Sequence, residues 1–281
     1  MAFSGTTLDC GGKMLDLSRP QVMGVLNVTP DSFSDGGDFL SVAAACERAL
    51  VMAEQGAAII DVGGESTRPG AEPVPAALEI DRVVPVIEAL QSGLGVPISI
   101  DTRKPEVMRA AVAAGAGLIN DVAALREPGA LQAAAQCGVP VCLMHMQGEP
   151  GTMQARPRYR DVVAEVRDFL RGRVAACEAA GIGRERLLVD PGFGFGKNDD
   201  HNLALLAGLE HIAGLGPPVV AGLSRKSMIG RLLGLEVNER MVPSVALAVM
   251  AVERGARLVR AHDVAETWQA LHLYSAVKEH T

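Results

Sequence analysis

The chain has 281 residues, 48% apolar and 21% charged, which excludes a disordered chain and suffices for a core without disulfide or metal staples. Aromatics are only 3%, so that core falls to Val, Ile, Leu and Ala. Subtracting 33 acids from 26 bases gives a net charge of −7, which argues against a nucleic-acid partner and leaves room only for a local phosphate-binding cluster.

In chain order, LDCGGKMLDL predicts a hairpin around Gly11-Gly12, within about residues 3–18, closing the lower end of the fold. From residue 22 to about 278, short apolar runs of strand length alternate with stretches of helical period. VMGVLNV (22–28) precedes a helix over 42–55, IIDVGGE (59–65) one over 77–91, and PISID (97–101) one over 105–114. LINDV (118–122) precedes a helix over 128–136, PVCLMHM (140–146) one over 161–180, and LLVDPG (187–192) one over 201–209. PVVAGLS (218–224) and LVRAHD (258–263) precede helices over 243–254 and 265–278. Gly56, Gly115, Gly138, Gly181 and Gly255 sit where helix-ending glycines belong.

Eight strands each followed by a helix predict an α/β fold, a (β/α)8 TIM barrel with an N-terminal β-hairpin, as one domain over residues 1–281. The competing doubly wound sheet needs a glycine fingerprint after its first strand, where Asn27-Val28-Thr29-Pro30 stands instead. Five cysteines, an odd number without zinc spacing, lead us to expect reduced thiols and a cytoplasmic location. The N-terminus lacks a secretory pattern and the apolar runs fall short of the ~18 residues of a membrane span, so no membrane partner is expected.

What ends each strand is informative. In order these are Asn27, Glu65-Ser66-Thr67-Arg68, Asp101-Thr102, Asn120-Asp121, His145, Asp190, Ser224-Arg225-Lys226, and Arg260 with His262-Asp263. One polar strand end is usually a turn or cap, but a barrel gathers all eight around one mouth. Familiar motifs fail on inspection. GFGFGKN (192–198) lacks the first glycine and the Ser/Thr of a phosphate loop, GLSRK (222–226) has Lys226 where a nucleophile elbow needs glycine, and H-E-x-x-H is absent.

MGVLNVTPDSFSDGG (23–37), DVGGESTRPGA (61–71), SIDT (99–102), IND (119–121), DPGFGFGK (190–197), GLSRKSMIG (222–230) and RAHD (260–263) together resemble the bacterial, stand-alone dihydropteroate synthase family. The resemblance runs from about residue 8 to 278 and departs from the family pattern at Ala261 and Ala123. It implies a transferase that joins 6-hydroxymethyl-7,8-dihydropterin pyrophosphate to p-aminobenzoate, releasing pyrophosphate with Mg²⁺, with sulfonamides as competitors and a homodimer as the assembly. By resemblance, Asp190, Asn120, Asp101, Met144 and Lys226 hold the pterin; a carboxylate grips its donor-rich edge as it would an arginine. Arg260 and His262 resemble the anion-binding pair, and Asn27 the residue that ligates Mg²⁺ and meets the pyrophosphate. Asp35 would stabilise a cationic pterin, Thr67 and Arg68 would reach both substrates, and Phe33, Pro69, Phe193 and Ser227 would wall the aminobenzoate pocket. Asp35, Lys226, Arg260 and His262 are the expected catalytic set. Two alternatives share part of this pattern: a pterin-binding barrel serving a corrinoid methyltransferase, and a non-catalytic pterin-binding homologue. The first has no use for the pyrophosphate pair or for the TPDSFSDGG loop, and the intact first and second loops speak against the second.

Overall fold

The computed structural model describes residues 7–28, 38–66, 73–148, 151, 153–154 and 157–280, and side chains at 38–41 are not among what it describes. The hairpin pairs β1 (Thr7–Cys10) with β2 (Lys13–Asp16) in antiparallel register, Leu8 opposite Leu15 and Cys10 opposite Lys13. Gly11 and Gly12 take φ of 67° and 90°, the pair of positive values that a two-residue hairpin turn requires.

The alternation predicted from periodicity comes next in the chain. It runs β3 (Gln21–Asn27), α1 (Asp38–Glu54), β4 (Ile59–Gly63), α2 (Ala76–Gln91), β5 (Ile98–Asp101), α3 (Pro105–Ala114), β6 (Leu118–Asp121) and α4 (Ala130–Cys137). It continues with β7 (Val141–Met144), α5 (Val162–Ala179), β8 (Leu187–Asp190), α6 (Asp199–Ala207), α7 (Leu209–Ala213) and β9 (Val219–Ala221). α8 (Ser227–Leu233), α9 (Met241–Glu253), β10 (Ala256–Ala261) and α10 (Val264–Lys278) complete it. All eight long-range strand pairings are parallel, and β10 returns to β3 with Ala261 opposite Gly24, closing the barrel. All five glycines expected to end helices have positive φ.

Two helical segments differ from expectation. The stretch expected as one helix over 201–209 breaks at Gly208 into α6 and α7. After β9 a short α8 precedes α9, because Gly234 takes a left-handed C-cap and ends it. The segment 227–233 is too short to show a helical period of its own.

Strand side chains alternate between two cores. Outward residues such as Ile60, Ile100, Ile119, Val189 and Val259 pack under the helices. Inward residues Met23, Ile59, Leu118, Cys142, Leu188, Val220 and Leu258 form an apolar layer, and Leu8, Cys10, Leu15 and Leu17 close it from below. Each such Leu contributes roughly 1.5–3 kcal/mol by burial. The hairpin can approach because residue 117 is glycine; a Cβ there would lie 2.1 Å from the Cys10 carbonyl oxygen. One pleat higher on the same inward rows, at the carboxyl ends of the strands, stand Asp61, Ser99, Asn120, Asp190 and Arg260. A step of two residues, about 6.6 Å, turns the barrel interior from hydrocarbon to charge.

Candidate active site

Arg260 crosses the barrel rather than pointing to solvent. Its Nε donates to Asp61 Oδ2 at 2.6 Å and its Nη2 to Asp101 Oδ2 at 2.8 Å, while Asn120 Nδ2 donates to the same Asp61 oxygen at 3.0 Å. Burial opposes the guanidinium charge, but the two carboxylates outweigh it and hold the Arg260 pKa above its ordinary value. Burial, with Asp61 beside it, pushes Asp101 up to about 7 against the pull of Arg260. The second oxygens of Asp61 and Asp101 are buried and unpartnered, as is Ser99 Oγ, so this layer has unmet capacity for hydrogen-bond donors.

Asp190 ends β8 at 5% exposure and accepts the Gly192 N–H at 2.7 Å. Burial raises its pKa, against that N–H and the nearby Lys226, Lys197 and Arg260. Gly192 has φ of 68°, and a Cβ there would lie 1.9 Å from the His145 carbonyl oxygen, so only glycine permits this turn. Space beside the polar groups also comes from glycine. A Cβ at Gly63 would stand 3.8 Å from Asn27 Oδ1 and 3.9 Å from Asp101 Oδ2, and one at Gly222 would stand 3.9 Å from Asp190 Oδ2.

Lys226 lies over this opening. Burial, with Arg260 nearby, lowers its pKa to about 8, and its Nζ sits 4.3 Å from the centroid of Phe195. Phe195 packs with Val122, Met144, Met146 and Met153 in a small apolar cluster. Phe193 does not join it. At 1% exposure Phe193 belongs to the core between barrel and helices; the positive φ of Gly192, Gly194 and Gly196 turns the chain between the two phenylalanines, so residues two apart do not share a face as they would in a strand. Of the two, Phe195 stands beside Lys226 and Met144, whereas Phe193, expected to wall the aminobenzoate pocket, is buried in the core.

Below that turn, buried Lys197 donates to the Gly192 carbonyl at 2.9 Å and the Phe195 carbonyl at 3.1 Å, with His145 Nδ1 at 3.0 Å. Burial lowers Lys197 to about 7 and, with Lys197 adjacent, His145 to about 2, so the imidazole is neutral and accepts. His145 packs edge-on against Phe169 and supports the loop from outside the mouth. Asp121 likewise turns to its own loop, accepting the N–H groups of Ala123 and Leu125 at 2.7 Å each.

Arg260 lies within the last strand, β10, whereas His262, expected on the same strand face, sits just past the strand's end at Ala261. The His262 ring lies 3.0 Å from Ser224 Oγ through Nδ1, and burial with Arg260, Arg225 and Lys226 nearby lowers its pKa to about 4. Asn27 ends β3 half-buried, and Ser227 is exposed at the start of α8. Phe33, Asp35, Thr67, Arg68 and Pro69 lie outside the described residues. The base of the second loop is held by Glu65, which accepts the Val74 N–H at 3.3 Å and Lys104 Nζ at 2.5 Å; Lys104 also pairs with buried Glu79.

Among the described residues no three His, Cys, Asp or Glu side chains could hold a metal together. The amide oxygen of Asn27, beside the gap at Gly63, is a hard donor of the kind Mg²⁺ takes, provided a ligand's oxygens complete the shell.

Asp61, Ser224, Phe195 and Lys197 are the site groups that sequence reasoning left unassigned. Asp61 carried a signal: it lies in register with Ile59 and Gly63 on the inward row, where a charge in an apolar strand needs a partner.

The family model of the pterin binding enzymes matches residues 23–262. A dihydropteroate synthase of Escherichia coli is 55% identical over 265 residues, 94% of each chain. The structure of a Xanthomonas albilineans dihydropteroate synthase with 4-aminobenzoic acid superposes with a TM-score of 0.93 at 56% identity, covering 98% of this chain and 99% of that one. A Yersinia pestis dihydropteroate synthase with a sulfonamide drug matches with a TM-score of 0.93 at 51% identity, covering 97% and 99%.

Proposed function

The chain belongs to the dihydropteroate synthase family of pterin-binding enzymes, and on that premise we propose how its barrel mouth divides the work of the family's reaction. It is a transferase that joins 6-hydroxymethyl-7,8-dihydropterin pyrophosphate to p-aminobenzoate, with sulfonamides as competitors of the arylamine. The observation that carries the site reading is one polar layer, Asp61, Asp101, Asn120, Asp190 and Arg260, standing on a closed apolar plug with glycine gaps beside it.

Asp190 grips the pterin's donor edge, and Asp101 and Asn120 complete the contacts; the unpartnered oxygen of Asp101 is an acceptor awaiting a donor. Met144 supplies the floor and Phe195 with Lys226 the upper wall toward the arylamine. Ser227, with Thr67, Arg68, Pro69 and Phe33 by family resemblance, would contact the aminobenzoate. Arg260 and His262 face the pyrophosphate, and Asp35 stabilises positive charge on the pterin. Mg²⁺ held by Asn27 and substrate phosphates would neutralise charge on the leaving pyrophosphate.

The chain's own groups favour a dissociative substitution. Cations and N–H donors stabilise charge on the departing oxygen, carboxylates face the electron-poor pterin, and the arylamine attacks as a neutral nucleophile. No strong general base is needed. Incubation with both substrates and Mg²⁺ should give dihydropteroate and pyrophosphate in equal amounts; pterin binding without product would favour the non-catalytic reading.

We also assign a cytoplasmic location, consistent with five unbridged cysteines, and a homodimer. No described helix is long and apolar enough to cross a membrane. Val242 and Met250 on α9, with Leu273 and Val277 on α10, are 45–70% exposed and leave an apolar face that a second copy would cover. Sedimentation of wild type against Val242→Glu tests the assembly, and an unchanged mass would remove this face from it.

A further inference from the structure

The loops after β9 and β10 are joined by two consecutive pairs, Ser224 with His262 and Arg225 with Asp263. Arg225 grips Asp263 with both arms, Nε at 3.0 Å and Nη2 at 2.5 Å. Its backbone has φ of 56°, left-handed for a residue with a Cβ, and its N–H donates to Ser244 Oγ of α9 at 2.9 Å. That anchored turn presents Ser224 to His262. The His262 backbone N–H donates to Ser224 Oγ at 3.2 Å, and ring Nδ1 lies 3.0 Å from the same oxygen.

A serine oxygen that already accepts one N–H still has one hydrogen to give. Among the described residues Nδ1 is the acceptor within reach of it. If instead Nδ1 carried the proton, Oγ would accept twice from one residue and its own hydrogen would have no acceptor among the described residues. The groups around the ring, Arg260, Arg225, Lys226 and Asp263, are three cations and one anion, which favours an uncharged imidazole. A neutral imidazole has one N–H, and the hydrogen bond at one nitrogen decides where it lies.

We propose that Ser224 is a positioning residue that fixes His262 in the tautomer protonated at Nε2, so that the ring donates its single N–H toward the pyrophosphate oxygens. The inference rests on reading His262 as part of the anion site. Arg260 is held by two carboxylates, so a neutral N–H donor adds attraction for the leaving group without a further buried charge.

The test uses the intact protein labelled with ¹⁵N-histidine, with His262→Gln to identify the resonances. Wild type should show a pyridine-type Nδ1 and a pyrrole-type Nε2. Ser224→Ala should draw the two shifts together as tautomers mix, and should weaken the binding of pyrophosphate with Mg²⁺ about tenfold. Ser224→Thr, which keeps the hydroxyl, should restore both, and this separates hydrogen bonding from a general packing defect. A protonated Nδ1 in wild type, or unchanged shifts and affinity in Ser224→Ala, overturns the proposal. His262→Gln binding pyrophosphate as wild type does would overturn the anion-site reading instead, while the tautomer comparison still decides the role of Ser224.

Discussion

Arg260 and Asp61, 199 residues apart, meet inside the barrel at 2.6 Å, and this contact joins the expected pyrophosphate side of the site to its pterin side. Through the same Asp61 oxygen the pair reaches Asn120, and through Arg260 it reaches Asp101. Arg260 is therefore a structural cation whatever ligand it meets. Removing it exposes two facing acids to each other in a buried layer.

Arg260→Ala should accordingly destabilise the fold by about 3–5 kcal/mol, since two buried carboxylates lose their partner. Asp61→Asn, which keeps shape and one acceptor, should cost less and lower pyrophosphate affinity only modestly. Urea denaturation of both variants checks this. Equal stability of Arg260→Ala and wild type would show that the pair adds nothing to folding.

Asp190→Asn should weaken pterin binding by about one to two decades, the cost of roughly 1.5–3 kcal/mol for one charged contact. Burial raises the Asp190 pKa, so the free protein protonates this group at a higher pH than an exposed aspartate. A neutral pterin binding to the carboxylate then releases protons as pH falls into that range. Calorimetry in buffers of different ionisation enthalpy should detect the release in wild type and a smaller one in Asp190→Asn.

Lys197 is buried with a pKa lowered to about 7 from 10.5. Above about pH 7 the folded form loses the proton while the unfolded chain keeps it, so stability rises with pH toward 10.5. Between about pH 7 and pH 9 wild type should gain about 2 kcal/mol relative to Lys197→Met, which has no such linkage. His145, Asp190 and Lys226 surround the group and are common to both proteins, and the difference reports the loss of the Lys197 proton together with its effect on these neighbours. Parallel pH–stability curves would place its pKa in the ordinary range.

Leu15→Ala in the hairpin should cost about 2–5 kcal/mol although the residue lies outside the barrel, because Leu15 fills the floor beneath Leu118, Leu188 and Leu258. Thermal unfolding should stay a single transition. A separate early transition would mean that the hairpin melts independently of the barrel.

The fold was legible in the sequence because its signals are local. Short apolar runs of strand length, helical-period stretches and the glycines that end helices each act over fewer than about 20 residues, and their count gives the barrel. The barrel mouth was legible for the same reason, since a parallel barrel collects strand ends wherever its strands begin. Asn120, Asp101, Asp190, Lys226 and Met144 fall in or beside the polar layer on that ground.

The tertiary structure decided which polar residues face one another. Asp121 and Asn120 are neighbours, yet one caps a loop and the other enters the barrel. His145 ends a strand as Asp190 does, but packs behind the mouth against Phe169 and Lys197. Phe193 and Phe195 look alike in DPGFGFGK, and only the backbone path through Gly192, Gly194 and Gly196 assigns one to the core and the other to the pocket. The pairing of Arg260 with Asp61 depends on the stagger of the last strand, β10, across β3 to β4. That stagger is set by closure of the whole sheet, and no short stretch of sequence encodes it.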